Sequence, residues 1–468
     1  MSITQINGKT LLDLGYPKGP VFKMLLNIVN TNFHNRSLED VSMLLKQLLI
    51  DPAAFTEDSY LSAPAKALLA PKKSDVIELQ SPVPFSIFGE SNIDVNAIRQ
   101  MNNAVRLPVT VAGALMADAH PGYGLPIGGV LATDNAVIPY GVGVDIGCRM
   151  CLSVLDLPVS SLENKESYLK ALQKDTVFGA GATLSKKADH AIIERKEFKE
   201  LNLLKQLYDK AVGQLGTSGS GNHFVEWGII TVTDQEPEWG LAPGEYVALL
   251  SHSGSRGLGA QIAGHYTKLA KELCHLPEGF QHLAWLDLNT QEGQEYWTAM
   301  TLAGDYAAAC HHVIHEKLIK TMGATLLRRV ENHHNFAWKE VHNGQELIVH
   351  RKGATPAGKG VLGIIPGSMT APGFVVRGTG VTAGLQSASH GAGRVLSRSA
   401  AKAKIKPEEM KQILADHGVT LIGGGLDEAP GAYKDINTVM KAQTELVEVL
   451  GEFKPKYVRM ADGGPAED

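Results

Sequence analysis

The chain has 468 residues, 44% hydrophobic and 20% charged, with a net charge of −5, a length and balance that suit a large folded core. No apolar run reaches the roughly 18 residues of a membrane span, and bulk charge offers no pull on a polyanion, so any nucleic-acid contact must come from a local basic patch. Four cysteines are too few for a disulfide framework and fit a reducing cytoplasm, and the opening MSITQINGKT has no secretory pattern.

Residues 1–78 are predicted to form a small helical N-terminal extension. PVFKMLLNIVN and LEDVSMLLKQLLI carry apolar residues at helical spacing, and Ser37 with Asp40 resembles a capping box. LSAPAKALLAPKKS reads as a linker, with a boundary near residue 78, and 79–468 as one large domain. From about 80 to 155 short β-type runs alternate with glycine turns. Residues 160–210 are charged and helical, EYVALLSHSGSRG is a buried strand entering a glycine loop, and 290–330 is a long helix. The stretch 353–394 holds too much glycine for regular elements, and helix returns over 407–450. The predicted class is α+β, with central β-sheets flanked by helices.

The chemistry lies in the glycine loops. DAHPGYGLPIGG (118–129), GVDIGC (143–148), GTSGSGNHFVE (216–226), SHSGSRGLG (251–259), NHHN (332–335), HRKGAT (350–355) and SHGAGRVLSR (389–398) each set polar, metal-ligating or cationic residues among glycines. Most of the 17 histidines must be ordinary, and HHVIH (311–315) reads as a helix face rather than a metal site. The repetition is what packing does not explain. Asp145, Cys148 and three loop histidines make a mixed O, S and N set that suits zinc, manganese, cobalt or iron, and a thiolate can bridge two metals. Arg256, Arg351, Lys352, Arg394 and Arg398 sit in or beside such loops, where backbone N–H groups help to grip phosphate. A metal centre ringed by these groups points to phosphoryl or nucleotidyl transfer.

Those motifs, with GIIPGSM and DEAPGAYKDINTVM (427–440), occur together in the order found in the RtcB family of RNA-splicing ligases, which the chain resembles from about residue 85 to 460. The resemblance implies an RtcB-like catalytic domain. It also implies an enzyme that joins RNA 2′,3′-cyclic phosphate or 3′-phosphate ends to 5′-hydroxyl ends with GTP and two manganese ions, in RNA repair or tRNA splicing. Asp145, Cys148, His223, His252 and His334 would be the metal ligands, Cys148 bridging, and His390 the nucleophile that becomes histidine–GMP. Asn222 would contact the guanylate phosphate and Glu226 the guanine. Gly391, Ala392 and Gly393 would let backbone approach the nucleotide, with Arg394 and Tyr433 beside it. Arg256, Arg351, Lys352 and Arg398 would hold RNA phosphates. Arg149, Gly373 and Met460 depart from the family pattern, as does AAACHHV (307–313). Two other readings are a metal-dependent RNA-end phosphatase or cyclic phosphodiesterase, and a non-catalytic RNA-end binding protein. Whether a partner protein activates the enzyme is left open by the sequence.

Overall fold

Local side-chain chemistry starts the first helices. Asn7 accepts from the backbone N–H groups of Lys9 and Thr10 to open Gly8–Asp13, and Ser37 Oγ accepts from Asp40 N–H at 3.1 Å to open Leu38–Ile50. Leu11, Leu25, Val29, Val41, Leu45 and Leu48 then close one small core. The computed structural model describes residues 6–16, 20–33, 35–69, 76–233 and 239–462. The chain forms two units, 1–75 and 76–468.

The stretch read as a linker differs. Ser62–Leu69 is a helix, with Pro64 in its first turn, where a missing N–H costs little, and Ala65 in the core. Residues 70–75 lie outside the described residues.

The larger unit is built on two sheets. One has five strands in the order Phe85–Ile87, Thr110–His120, Ile127–Thr133, Gln345–Lys352 and Asn335–His342. The other has eight. Its path runs Leu362–Ile365, Gly373–Gly378, Val447–Met460, Phe224–Val232, Gly244–Ser253, Arg149–Leu155 and Leu326–His333, with Thr420–Ile422 alongside Val447–Met460. The chain passes from the second sheet to the first at His334, between the strands Leu326–His333 and Asn335–His342. Strands therefore run through the glycine-rich stretch 353–394, including Ala354–Pro356 and Ser387–Ser389, because neighbouring strands supply ladder partners that outweigh low local propensity. Likewise 407–450 holds the helices Pro407–Asp416 and Ile436–Lys441, but Thr420–Ile422 between them is a strand and Val447 begins another.

Alternation sorts the side chains of the central strands. Met150, Leu152, Ala248 and Leu250 join one apolar cluster, while Leu155, Val247 and Leu249 join another with Ile314 and Leu318 of the long helix Gln291–Met322. No helix among the described residues is long and apolar enough to cross a membrane.

Candidate active site

Five donors converge where the two sheets meet. Asp145 and Cys148 occupy the turn before the strand Arg149–Leu155, His223 precedes Phe224–Val232, His252 is next to last in Gly244–Ser253, and His334 is the crossing residue. They form a row. Asp145 Oδ2 lies 3.1 Å from His223 Nε2, which is 3.4 Å from Cys148 Sγ. The thiol is 3.1 Å from His252 Nε2, and that nitrogen is 3.2 Å from His334 Nε2. All five are buried, and Cys148 stands in the middle. Backbone ties hold the row, with Cys148 N–H donating to Asp145 O and His334 N–H to Cys148 O. Gly254 has to be glycine, since a Cβ there would fall 2.0 Å from the Asp145 carboxylate.

The protons fit a cation. His252 donates Nδ1–H to Asn222 O at 3.1 Å, which leaves Nε2 with its lone pair facing Cys148 and His334. His334 Nδ1 is buried without a hydrogen-bond partner, and Asp145 Oδ2 faces His223 Nε2 at 3.1 Å. Burial pushes His252 down to about 3 and His334 well below the usual imidazole range, so both rings are neutral at physiological pH, the form that can ligate a metal. Burial opposes charge on Asp145 too, yet His223 and Arg256 hold its carboxyl below the usual carboxylate range. A thiol, a carboxylate and neutral imidazoles at these separations suit a divalent transition metal.

A cavity of about 850 Å³ opens onto this row. His390 stands on its wall, its ring centroid 4.9 Å from that of His334. Asp118, fully buried at the end of Thr110–His120, accepts at Oδ2 from His390 Nδ1–H at 2.6 Å and from His390 N–H at 3.0 Å. Burial disfavours that charge, but His390 and Lys434 keep the Asp118 carboxyl below its ordinary value. His390 Nε2 is thereby left as the free lone pair. Gly393, at φ +74, lets the loop close on Asp118, where a Cβ would come 2.1 Å from its carbonyl oxygen. Asp118 lies in a loop that the sequence singles out, but its partner is 272 residues away, and no local pattern links them.

Asn222, Glu226, Gly391, Ala392, Gly393, Arg394 and Tyr433 all line the cavity, as do Lys352, Arg398, Gly373 and Met460. Glu226 is buried among apolar neighbours, which pushes its carboxyl well up. Arg394 bonds Asp427 O at 2.6 Å and Tyr433 Oη at 3.2 Å, Arg398 is paired with Glu428 and Asp427, and Tyr433 Oη donates to Glu428. Two expected phosphate groups fall elsewhere. Arg351 is fully buried, clamped by both Glu340 oxygens at 2.7 and 3.0 Å and by Ser387 Oγ at 2.7 Å, because its strand turns it into the interior. Arg256 is also buried and off the cavity wall. Held at φ +56, a backbone strain for a non-glycine residue, it donates to Gly254 O at 3.1 Å and His223 Nδ1 at 3.0 Å, and so fixes the His223 ring.

The site and fold define a protein that presents a carboxylate-oriented histidine to a cavity beside a buried row of five metal-ligand-type donors centred on Cys148. The chain belongs to the RtcB family. The family profile described as tRNA-splicing ligase RtcB matches residues 100–210 and 188–460. The chain is 34% identical over 394 residues to the RNA-splicing ligase RtcB1 of Escherichia coli, covering 76% of this chain and 92% of that protein. It is 30% identical over 437 residues to the tRNA-splicing ligase RtcB of Thermococcus kodakarensis, covering 77% and 90%.

Proposed function

We propose that this chain is a cytoplasmic, manganese- and GTP-dependent RNA ligase. It joins RNA 2′,3′-cyclic phosphate or 3′-phosphate ends to 5′-hydroxyl ends through a histidine–GMP at His390. The observation that carries this reading is the Asp118–His390 pair on the cavity wall beside the five-donor row. Asp145 and His223 on one side of Cys148, and His252 and His334 on the other, are the residues that would hold two metal ions, with Cys148 between them. When bound, divalent metal there neutralises phosphate charge.

The chain's own groups supply the rest. His390 Nε2 attacks the α-phosphorus of GTP, the N–P bond forms, and the bond to pyrophosphate breaks. Asp118, accepting from Nδ1–H, orients the ring and stabilises the positive charge that builds on it. An oxygen of the RNA 3′-phosphate then takes the guanylyl group, which returns His390 to its neutral form. A 2′,3′-cyclic end is first opened by water to the 3′-phosphate; the 5′-hydroxyl then attacks the activated RNA phosphate, its proton passes to solvent, and GMP leaves. Asn222 stands by the row to meet the guanylate phosphate, Glu226 on the wall to meet the base, and Lys352 and Arg398 to meet RNA phosphates. A protein that only binds ends has no use for a histidine oriented in this way, and an RNA-end phosphatase is told apart by the nucleotide adduct that it does not form.

Incubation with manganese and α-phosphate-labelled GTP tests the reading. We expect an acid-labile covalent label in the wild type and none in His390→Ala, with joining of defined RNA ends only in the wild type. An unlabelled wild type, or a label that survives in His390→Ala, contradicts it.

A further inference from the structure

The cavity has an aromatic rim that the guanylyl-transfer chemistry does not use. Tyr123, at the tip of the 121–126 loop, is 67% exposed, a large ring left in solvent at the mouth of a buried site. A lone exposed aromatic is ordinary, but this one is held by an anchored backbone. Gln100 bonds both polar groups of Gly122, accepting from its N–H at 3.0 Å and donating to its carbonyl. Lys352 Nζ donates to Tyr123 O at 2.7 Å. Gly124, at φ +68, turns the loop where a Cβ would strike His282 O at 2.9 Å. The chain is pinned on either side of a side chain that is left open.

Two more rings stand behind it. The Tyr123 and Tyr140 centroids are 6.4 Å apart, Tyr140 and His282 4.8 Å, and Tyr123 and His282 5.8 Å. Lys352 Nζ lies 4.8 Å from the Tyr140 centroid, and although burial pushes its ammonium down to about 7, an incoming phosphate holds it charged at the foot of the rings. Gly353 follows, and its Cβ position is 3.2 Å from His390 Cε1, so the rim is continuous with the nucleophile. A ring beside a cation is the pairing that single-stranded nucleic acid requires, a face for a base and a charge for the adjoining phosphate. The exposed ring of Tyr123 offers a face, and a ring face stacks on any base.

We propose that Tyr123, backed by Tyr140 and His282, is a stacking platform for the base of the terminal nucleotide at an RNA end entering the His390 cavity. This rests on the ligase reading above and adds where the strand is held. The test is direct binding of short RNAs to the full chain by fluorescence anisotropy, with guanylylation of the wild type measured in parallel. The RNAs carry a 3′-phosphate or a 5′-hydroxyl end, each with either a normal or an abasic terminal nucleotide.

Tyr123→Ala is expected to weaken binding of one of the two ends roughly tenfold or more, equally for purine and pyrimidine. Tyr123→Phe should bind within about twofold of the wild type, since a phenyl ring stacks as well. With the abasic nucleotide at that end, wild type and Tyr123→Ala should bind alike, and which abasic end erases the difference tells which strand the platform holds. Equal binding by wild type and Tyr123→Ala to normal ends overturns the platform, and so does a Tyr123→Ala loss that persists undiminished on both abasic ends. Base-dependent binding without guanylylation of the wild type overturns the ligase reading and leaves the platform standing.

Discussion

Two buried cysteine–histidine clusters lie on opposite faces of the same pair of strands, and they are built to opposite ends. Cys148, His223 and His252 form one, and Cys151, His311 and His315 the other. In the second, every ring nitrogen has a complementary partner. Arg329 Nε–H reaches Ser153 Oγ at 3.3 Å, and Ser153 donates to His315 Nδ1 at 2.8 Å. His315 Nε2–H donates to Ser251 Oγ at 2.7 Å, Ser251 donates to His311 Nδ1 at 2.6 Å, and His311 Nε2–H ends on Ser253 O at 3.1 Å. One set of proton positions satisfies the whole line, and burial pushes both rings well below the usual imidazole range, so they stay neutral. In the first cluster the donor atoms crowd on one another without such a line, His252 Nε2 lying 3.1 Å from Cys148 Sγ and 3.2 Å from His334 Nε2, and His334 Nδ1 lacks a partner. Proximity of ligand types is therefore not what distinguishes the two clusters. A complete hydrogen-bond line is what the second has and the first lacks.

That contrast breaks most sharply at the two thiols. Cys148→Ala is expected to abolish bound metal and the GMP adduct, while Cys151→Ala retains metal at the wild-type ratio, as elemental analysis of the purified proteins would show. Loss of metal from both would erase the distinction. The histidines give a smaller effect, read by urea denaturation of metal-free protein. His315→Ala strands Ser251 and Ser153 and leaves a cavity, at a cost of about 2–4 kcal/mol. His252→Ala takes the donor from Asn222 O but opens onto the existing cavity, where water can replace it, and should cost less, about 1–2 kcal/mol. Equal losses would contradict the comparison.

A third pair sharpens it. Arg351 and Lys352 are adjacent on one strand, the first locked inside and the second on the cavity wall. Burial pushes the Lys352 ammonium down to about 7, so above that pH the folded chain has released a proton that the unfolded chain keeps up to about 10.4. Stability should accordingly rise between those limits, at most about 1.4 kcal/mol per pH unit. Lys352→Met should flatten the rise between pH 7 and 8.5, measured by urea midpoints; an unchanged slope would place the titration elsewhere.

The five donors of the row were legible in the sequence because each sits in a glycine loop with ligand chemistry, and Gly254 and Gly393 show why glycine is needed there. HHVIH was also legible as a helix face, since His311 and His315 point inward from Gln291–Met322. What the sequence hid depends on pairing across hundreds of residues. Asp118 finds His390 only once two distant loops meet, and Arg351 is claimed by Glu340 only when their strands pair. Strand Arg149–Leu155 likewise sets Arg149 against Glu331 at 3.5 Å and His333 at 3.2 Å, on the face away from the ligand row, so its place beside Cys148 in sequence does not make it a metal neighbour. Glycine content alone misjudged 353–394, because a strand is made by its neighbours.

The most direct test of the account is to map the GMP adduct by peptide mass spectrometry after reaction with GTP and manganese, in the wild type and in Asp118→Asn. The account predicts GMP on His390 alone, formed roughly a hundred- to ten-thousandfold more slowly in Asp118→Asn, where the ring loses its carboxylate. An adduct on another residue, or undiminished labelling of Asp118→Asn, would contradict it.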